Sequence, residues 1–137
     1  MGVQSLFWDY ILLLPLQKLL KMGLISVENM EFYAFHGCFQ AEAVVGNRFM
    51  VDLWIDEDAS LSAETDNIDD AVSYFQAYLI VKQQMMIRSN LLENVCKRIL
   101  DALYSEMSGI KHAKVKVSKM APPMGGPIER VSLTMER

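Results

Sequence analysis

"KHAKVKVSKMAPPMGGPIERVSL", residues 111–133, carries a two-residue rhythm and the point at which that rhythm stops. Ala113, Val115 and Val117 share one face of a β-strand, and Lys114, Lys116 and Ser118 share the other, because successive side chains point to opposite faces. Lys119 falls in phase with the apolar face, immediately before a Pro-Pro-x-Gly-Gly loop. Beyond the loop Val131, Leu133 and Met135 alternate with Ser132, Thr134 and Glu136, which marks residues 128–136 as a further strand.

Upstream, "LISVENMEFYAF" (24–35) is rich in β-branched and aromatic residues, and in "RFMVDLWIDEDAS" (48–60) Val51, Leu53 and Ile55 alternate with Asp52, Trp54 and Asp56. Both read as strands, joined by the connection "HGCFQAEAVVGN". After the acidic stretch "AETDNIDDAVS" the period changes. Phe75, Tyr78, Leu79, Lys82 and Met86 fall near one helical face, and Leu92, Val95, Cys96, Ile99, Leu103 and Met107 form a clearer helical stripe that Ser108-Gly109 ends. The order strand, strand, helix, helix, strand, strand predicts an α+β fold: a four-stranded antiparallel sheet with both helices on one face. Trp54 and Phe49 are assigned to the opposite face, too apolar to be simply solvated, which favours an oligomer.

The chain has 137 residues, 52% of them hydrophobic, and a net charge of -4 with scattered lysines. These values fit one globular domain and argue against nucleic acid as a partner. Cys38 and Cys96 share no metal-binding or redox spacing and read as reduced thiols of a cytosolic protein. Residues 1–21 read as a leader outside a domain spanning 22–137, either a mistaken start or a loosely docked extension. Asp9 and Pro15 interrupt its apolar run, which falls short of the ~20 residues a membrane-spanning helix needs, so no membrane partner is expected. No metal cluster, nucleophile elbow, phosphate-binding loop or dinucleotide fingerprint is present, so no cofactor is expected.

Each candidate residue has two readings at this level. Lys119 is either a strand-end lysine snorkelling to water or a partly desolvated acid/base group. Glu93 either completes a capping box with Asn90 or offers an ionised carboxylate in a first helical turn to a guanidine-like edge. Tyr74 is a packed aromatic or a phenol pointing out of the core, and Glu42 a solvated loop residue or part of a site. His36, at a strand end beside Gly37, reads as a hydrogen-bonded turn residue and stays outside the catalytic set.

Taken in order, "FYAFHGCFQAE", "GNRFMVDL", "TDNIDDAVSY", "NLLENVCKRI" and "KVKVSKMAPPMGG" resemble the successive signature stretches of the dihydroneopterin aldolases of folate biosynthesis, from about Met22 to Arg137. The resemblance implies a tunnelling fold and ring-shaped tetramers or octamers with pterin sites at subunit interfaces. It implies that Glu93, helped by backbone at Leu92, binds the pterin edge, and that Lys119 is the principal acid/base group. Tyr74 would come from a neighbouring subunit and Glu42 would lie near the substrate's hydroxylated tail. The implied activity is retro-aldol cleavage of 7,8-dihydroneopterin. The alternatives are an epimerase of dihydroneopterin or its triphosphate, and a non-catalytic pterin-binding ring protein. In this company the catalytic reading of Lys119 outweighs the snorkelling one.

Overall fold

The computed structural model describes residues 22–137, so the expectations for the leader lie outside the described residues. Strands β1 (Met22–Ala34), β2 (Asn47–Asp58), β3 (Ile110–Met120) and β4 (Arg130–Glu136) form one antiparallel sheet in sequence order. Between them lie α1 (Gln40–Val45), α2 (Ser60–Thr65), a 3-10 turn (Ile68–Asp70), α3 (Tyr74–Met85) and α4 (Leu92–Glu106). The expected α+β arrangement holds, with two short helices added where only connections were expected. No helix among the described residues is long and apolar enough to cross a membrane.

In β1 the apolar positions change phase: Ile25 and Val27 are odd, whereas Met30, Phe32 and Ala34 are even. A bulge between Val27 and Met30 absorbs the extra residue, so both sets face the core. Asn29 takes the positive φ of 56° that the bulge requires, and its N–H donates to Asp52 Oδ1 at 2.7 Å.

Phe49, Val51, Leu53 and Ile55 of β2 and Ala113, Val115 and Val117 of β3 are completely buried beneath the helices. Phe49 therefore belongs to the core face, which corrects its assignment to the opposite one: it shares the odd phase of Val51. Trp54 does face away from the helices, with the Lys114 ammonium 4.8 Å from its ring centroid. Ser118, which shares the phase of the lysines, is buried against Ser132 through a 2.7 Å hydroxyl pair.

Helix α4 buries Val95, Cys96, Ile99 and Leu103, as its stripe predicts. Helix α3 turns a different face inward from the one expected. Ala77, Ile80, Val81 and Met85 are buried, whereas Phe75, Leu79 and, just past its end, Met86 are exposed. Only Tyr78 of the expected apolar group packs toward the core, stacked on Phe32 at 6.0 Å. Apolar residues fall on every side of the helix, with Gln76, Lys82, Gln83 and Gln84 scattered among them, so periodicity could not choose between its faces.

The two long helices run antiparallel. Gln76 Nε2 donates to the Glu106 carbonyl at one end, and Arg98 Nη1 donates to the Gln84 carbonyl at the other. The start of α3 and the start of α4 thus lie at opposite ends of the pair, separated by the ~18 Å length of a 12-residue helix.

Candidate active site

A cleft of about 380 Å³ opens at the end of the sheet where β1 and β3 finish and α4 begins. One wall is the segment from Gly37 to Glu42, and the other is the turn from Asn90 to Glu93. Lys119, Val131 and Leu133 supply its sheet side, and Pro122, Pro123 and Met124 its outer rim. This volume lies within the ~300–1,000 Å³ usual for small-molecule sites.

Lys119 does not snorkel. Its register partner is Phe49, and its ammonium donates to Glu42 Oε1 at 2.6 Å, with the two side chains only 12% and 13% exposed. Glu42 is consequently no solvated loop residue. It sits in the first turn of α1, where its other oxygen accepts the Phe39 N–H at 3.1 Å. Burial pushes the Glu42 carboxyl upward, but the Lys119 and Phe39 hydrogen bonds outweigh burial and hold it below its ordinary value. Gly37 makes the arrangement possible. A Cβ there would lie 2.1 Å from Glu42 Oε2, so any side chain would displace the carboxylate.

Glu93 is in the first turn of α4, but the expected capping box is absent. Leu91 is the N-cap, without a side-chain hydrogen bond, and the Asn90 amide oxygen instead accepts from Arg88 Nη1 at 3.0 Å. The Glu93 carboxylate is exposed at the cleft and makes no hydrogen bond or ion pair among the described residues. Around it, the first-turn N–H groups of α4, beginning at Leu92, have no acceptor within the helix. A carboxylate beside unsatisfied donors suits a planar heterocycle that presents both amino and carbonyl groups along one edge.

Tyr74 is absent from this cleft. It opens α3, is 64% exposed, and stands at the opposite end of the helix pair. The structure thus brings Lys119, Glu42, Glu93 and Leu92 together and leaves Tyr74 apart.

His36 is the hydrogen-bonded turn residue expected, though deeply buried. Its Nδ1 accepts the Ser89 N–H at 3.1 Å, and its Nε2 has no hydrogen-bond partner among the described residues. Burial, aided by the Arg98 charge, lowers its pKa to about 4, so at neutral pH it stays uncharged within the fold.

Sequence reasoning missed Cys38, which lines the cleft and donates its thiol to the Asn90 carbonyl at 3.4 Å. It also missed Arg98, which braces the Asn90–Glu93 wall from behind through the Ile87 carbonyl and the Ser89 hydroxyl, each at 2.8 Å. Both lie inside the stretches that carry the resemblance, but their bonding partners, 52 residues away for Cys38 and 11 and 9 for Arg98, leave no local signal.

Comparison with known proteins gives a consistent result. The family model described as dihydroneopterin aldolase matches residues 25–136. The dihydroneopterin aldolase of Bacillus subtilis is 32% identical over 117 residues, covering 85% of this chain and 98% of its own. That of Staphylococcus epidermidis is 31% identical over 115 residues, covering 83% and 95%. Among solved structures, Escherichia coli dihydroneopterin aldolase in complex with neopterin superposes with a TM-score of 0.77 at 19% identity, covering 84% of this chain and 98% of that one. Dihydroneopterin aldolase from Burkholderia thailendensis bound to guanine gives a TM-score of 0.69 at 20% identity, covering 92% and 97%. The structural likenesses establish the shared fold.

Proposed function

This chain belongs to the dihydroneopterin aldolase family, and from that membership we propose that its cleft cleaves 7,8-dihydroneopterin into 6-hydroxymethyl-7,8-dihydropterin and glycolaldehyde. The observation that carries this reading is a buried Lys119–Glu42 pair facing an unengaged Glu93 across one cleft. A binding module needs Glu93 but gains nothing from a lysine drawn inward at desolvation cost.

Glu93 and the Leu92 backbone grip the amino and ring N–H edge of the pterin. The hydroxylated tail then extends toward Lys119 and Glu42. An ordered water held by Lys119 relays the proton of the tail's second hydroxyl to the Glu42 carboxylate, and the Lys119 ammonium is the proton source for N5. The bond between the first and second tail carbons breaks, and its electron pair enters the ring N5=C6 imine, with a proton moving to N5. Glycolaldehyde leaves, the residual enol-like carbon takes a proton from a phenol, and N5 returns its proton to the Lys119 amine, restoring the imine, while the proton held by Glu42 passes through water to the phenolate. The substrate's own imine is the electron sink, so the protein's task is to position groups and move protons.

The phenol is Tyr74 of a second copy, because within one chain it stands at the other end of the helix pair. Exposed Phe75 and Leu79 beside it supply apolar area for that contact. The mouth of the cleft carries a different apolar patch, Phe39 and Met124. Two unlike patches that meet make a heterologous contact, which closes into a ring of tetramer or octamer type. The free thiols of Cys38 and Cys96 fit a cytosolic setting.

Incubation of the purified protein with 7,8-dihydroneopterin, followed by product analysis, tests the reaction. Stoichiometric glycolaldehyde is expected. The tail epimer alone would assign an epimerase, and tight pterin binding without turnover would assign a binding module.

A further inference from the structure

The cleft's two functional walls come from segments about fifty residues apart, and one side chain outside the cleft ties them together. Arg88 donates from Nε to the Phe35 carbonyl at 3.1 Å, from Nη2 to the Gly37 carbonyl at 2.7 Å and from Nη1 to Asn90 Oδ1 at 3.0 Å. The first two acceptors belong to the wall that leads into Glu42. The third lies in the turn that leads into Glu93. The Gly37 N–H, donating to the Ser89 carbonyl at 3.1 Å, completes the strap. The positive charge of Arg88 also helps keep Glu42 ionised, behind the Lys119 and Phe39 hydrogen bonds.

We propose that Arg88 is a positioning residue that sets the spacing between the pterin-gripping wall and the proton-transferring wall. This inference rests on the function proposed above. A guanidinium suits the task because its donors leave one rigid plane in fixed directions and can hold three acceptors at once, which an ammonium on a flexible stem cannot do with the same definition. Ring binding uses the Glu93 wall alone, whereas chemistry needs both walls in register. Loosening the strap therefore acts on the chemical step: a misplacement of ~1 Å costs roughly 10²-fold in rate.

The test compares wild type with Arg88→Met and Arg88→Lys by steady-state kinetics and amide hydrogen exchange. Both variants are expected to lose roughly 10- to 100-fold in kcat with KM changed less than about threefold. Methylguanidinium should restore part of the kcat of Arg88→Met. Exchange at the Gly37 and Ser89 amides should accelerate at least tenfold by the same loosening, while that of Val51 in the core stays unchanged. A merely structural role would lower thermal stability without a kcat-specific loss or rescue by methylguanidinium. Unchanged kcat, or unchanged exchange at Gly37 and Ser89, in a folded variant would overturn the proposal. If wild type shows no turnover, the proposed reaction fails, and Arg88 is judged by the exchange data alone.

Discussion

Lys119→Ala is expected to lower kcat by ~10²- to 10⁴-fold, the usual contribution of a positioned proton-transfer group, while KM for 7,8-dihydroneopterin moves by less than about threefold. The asymmetry follows from where Lys119 sits. It occupies the sheet side of the cleft beside Glu42, whereas ring binding is assigned to the Asn90–Glu93 turn of the other wall. Its removal strands the Glu42 carboxylate, 13% exposed, without its ion-pair partner, so some loss of stability should accompany the loss of rate. Lys119→Ala/Glu42→Gln distinguishes the two effects. It should recover stability, because the buried charge is gone, and recover no activity.

Glu93→Ala is expected to show the opposite pattern. Two charge-assisted hydrogen bonds to the ring edge, at ~1.5–3 kcal/mol each, correspond to a rise of roughly 10²-fold or more in the Kd for pterins. At saturating substrate kcat should stay within about tenfold of wild type, because the contact is made equally in ground and transition states. Calorimetric titration with neopterin separates binding from chemistry. Glu93 takes no part in a capping box, so the variant should unfold close to the wild-type temperature. Small and equal effects of the two substitutions on kcat and KM would remove the division of labour between the walls.

The parts of the fold that were legible in the sequence are those in which one face is apolar and the other polar. Strands β2, β3 and β4 and helix α4 have that contrast, and their order together with β1 and α3 led to the antiparallel sheet under two helices. Helix α3 lacks it, and so its buried face was misjudged: Phe75 and Leu79 are large and apolar but exposed. Large apolar residues stand on both the buried and the exposed sides of this helix, so no period separates the two. Phe49 was misplaced for a different reason, since its odd phase with Val51 was available. The bulge in β1 was equally readable, as a phase change between Val27 and Met30.

At the site, the anomalous phase of Lys119 left a snorkelling and an inward ammonium both open, the resemblance favoured the inward one, and nothing local named its partner. Glu42 lies 77 residues away in sequence, in a helix too short to show periodicity. Glu93 looked like a capping-box residue because Asn90 precedes it by three positions. The box does not form because Arg88 claims the Asn90 amide oxygen. Arg88 itself was invisible, since what it binds is mostly backbone carbonyl, which leaves no mark on residue choice.

If proton transfer is shared between Lys119 of one copy and Tyr74 of another, mixed subunits should complement each other. Lys119→Ala and Tyr74→Phe, each nearly inactive alone, are unfolded, mixed in equal amounts and refolded together. Half of the resulting sites keep Lys119, and half of those receive an intact Tyr74, so about one quarter of wild-type glycolaldehyde production should return through the heterologous contact. A mixture no more active than its two parents, or a Tyr74→Phe protein with wild-type kcat, would contradict a site built from two copies.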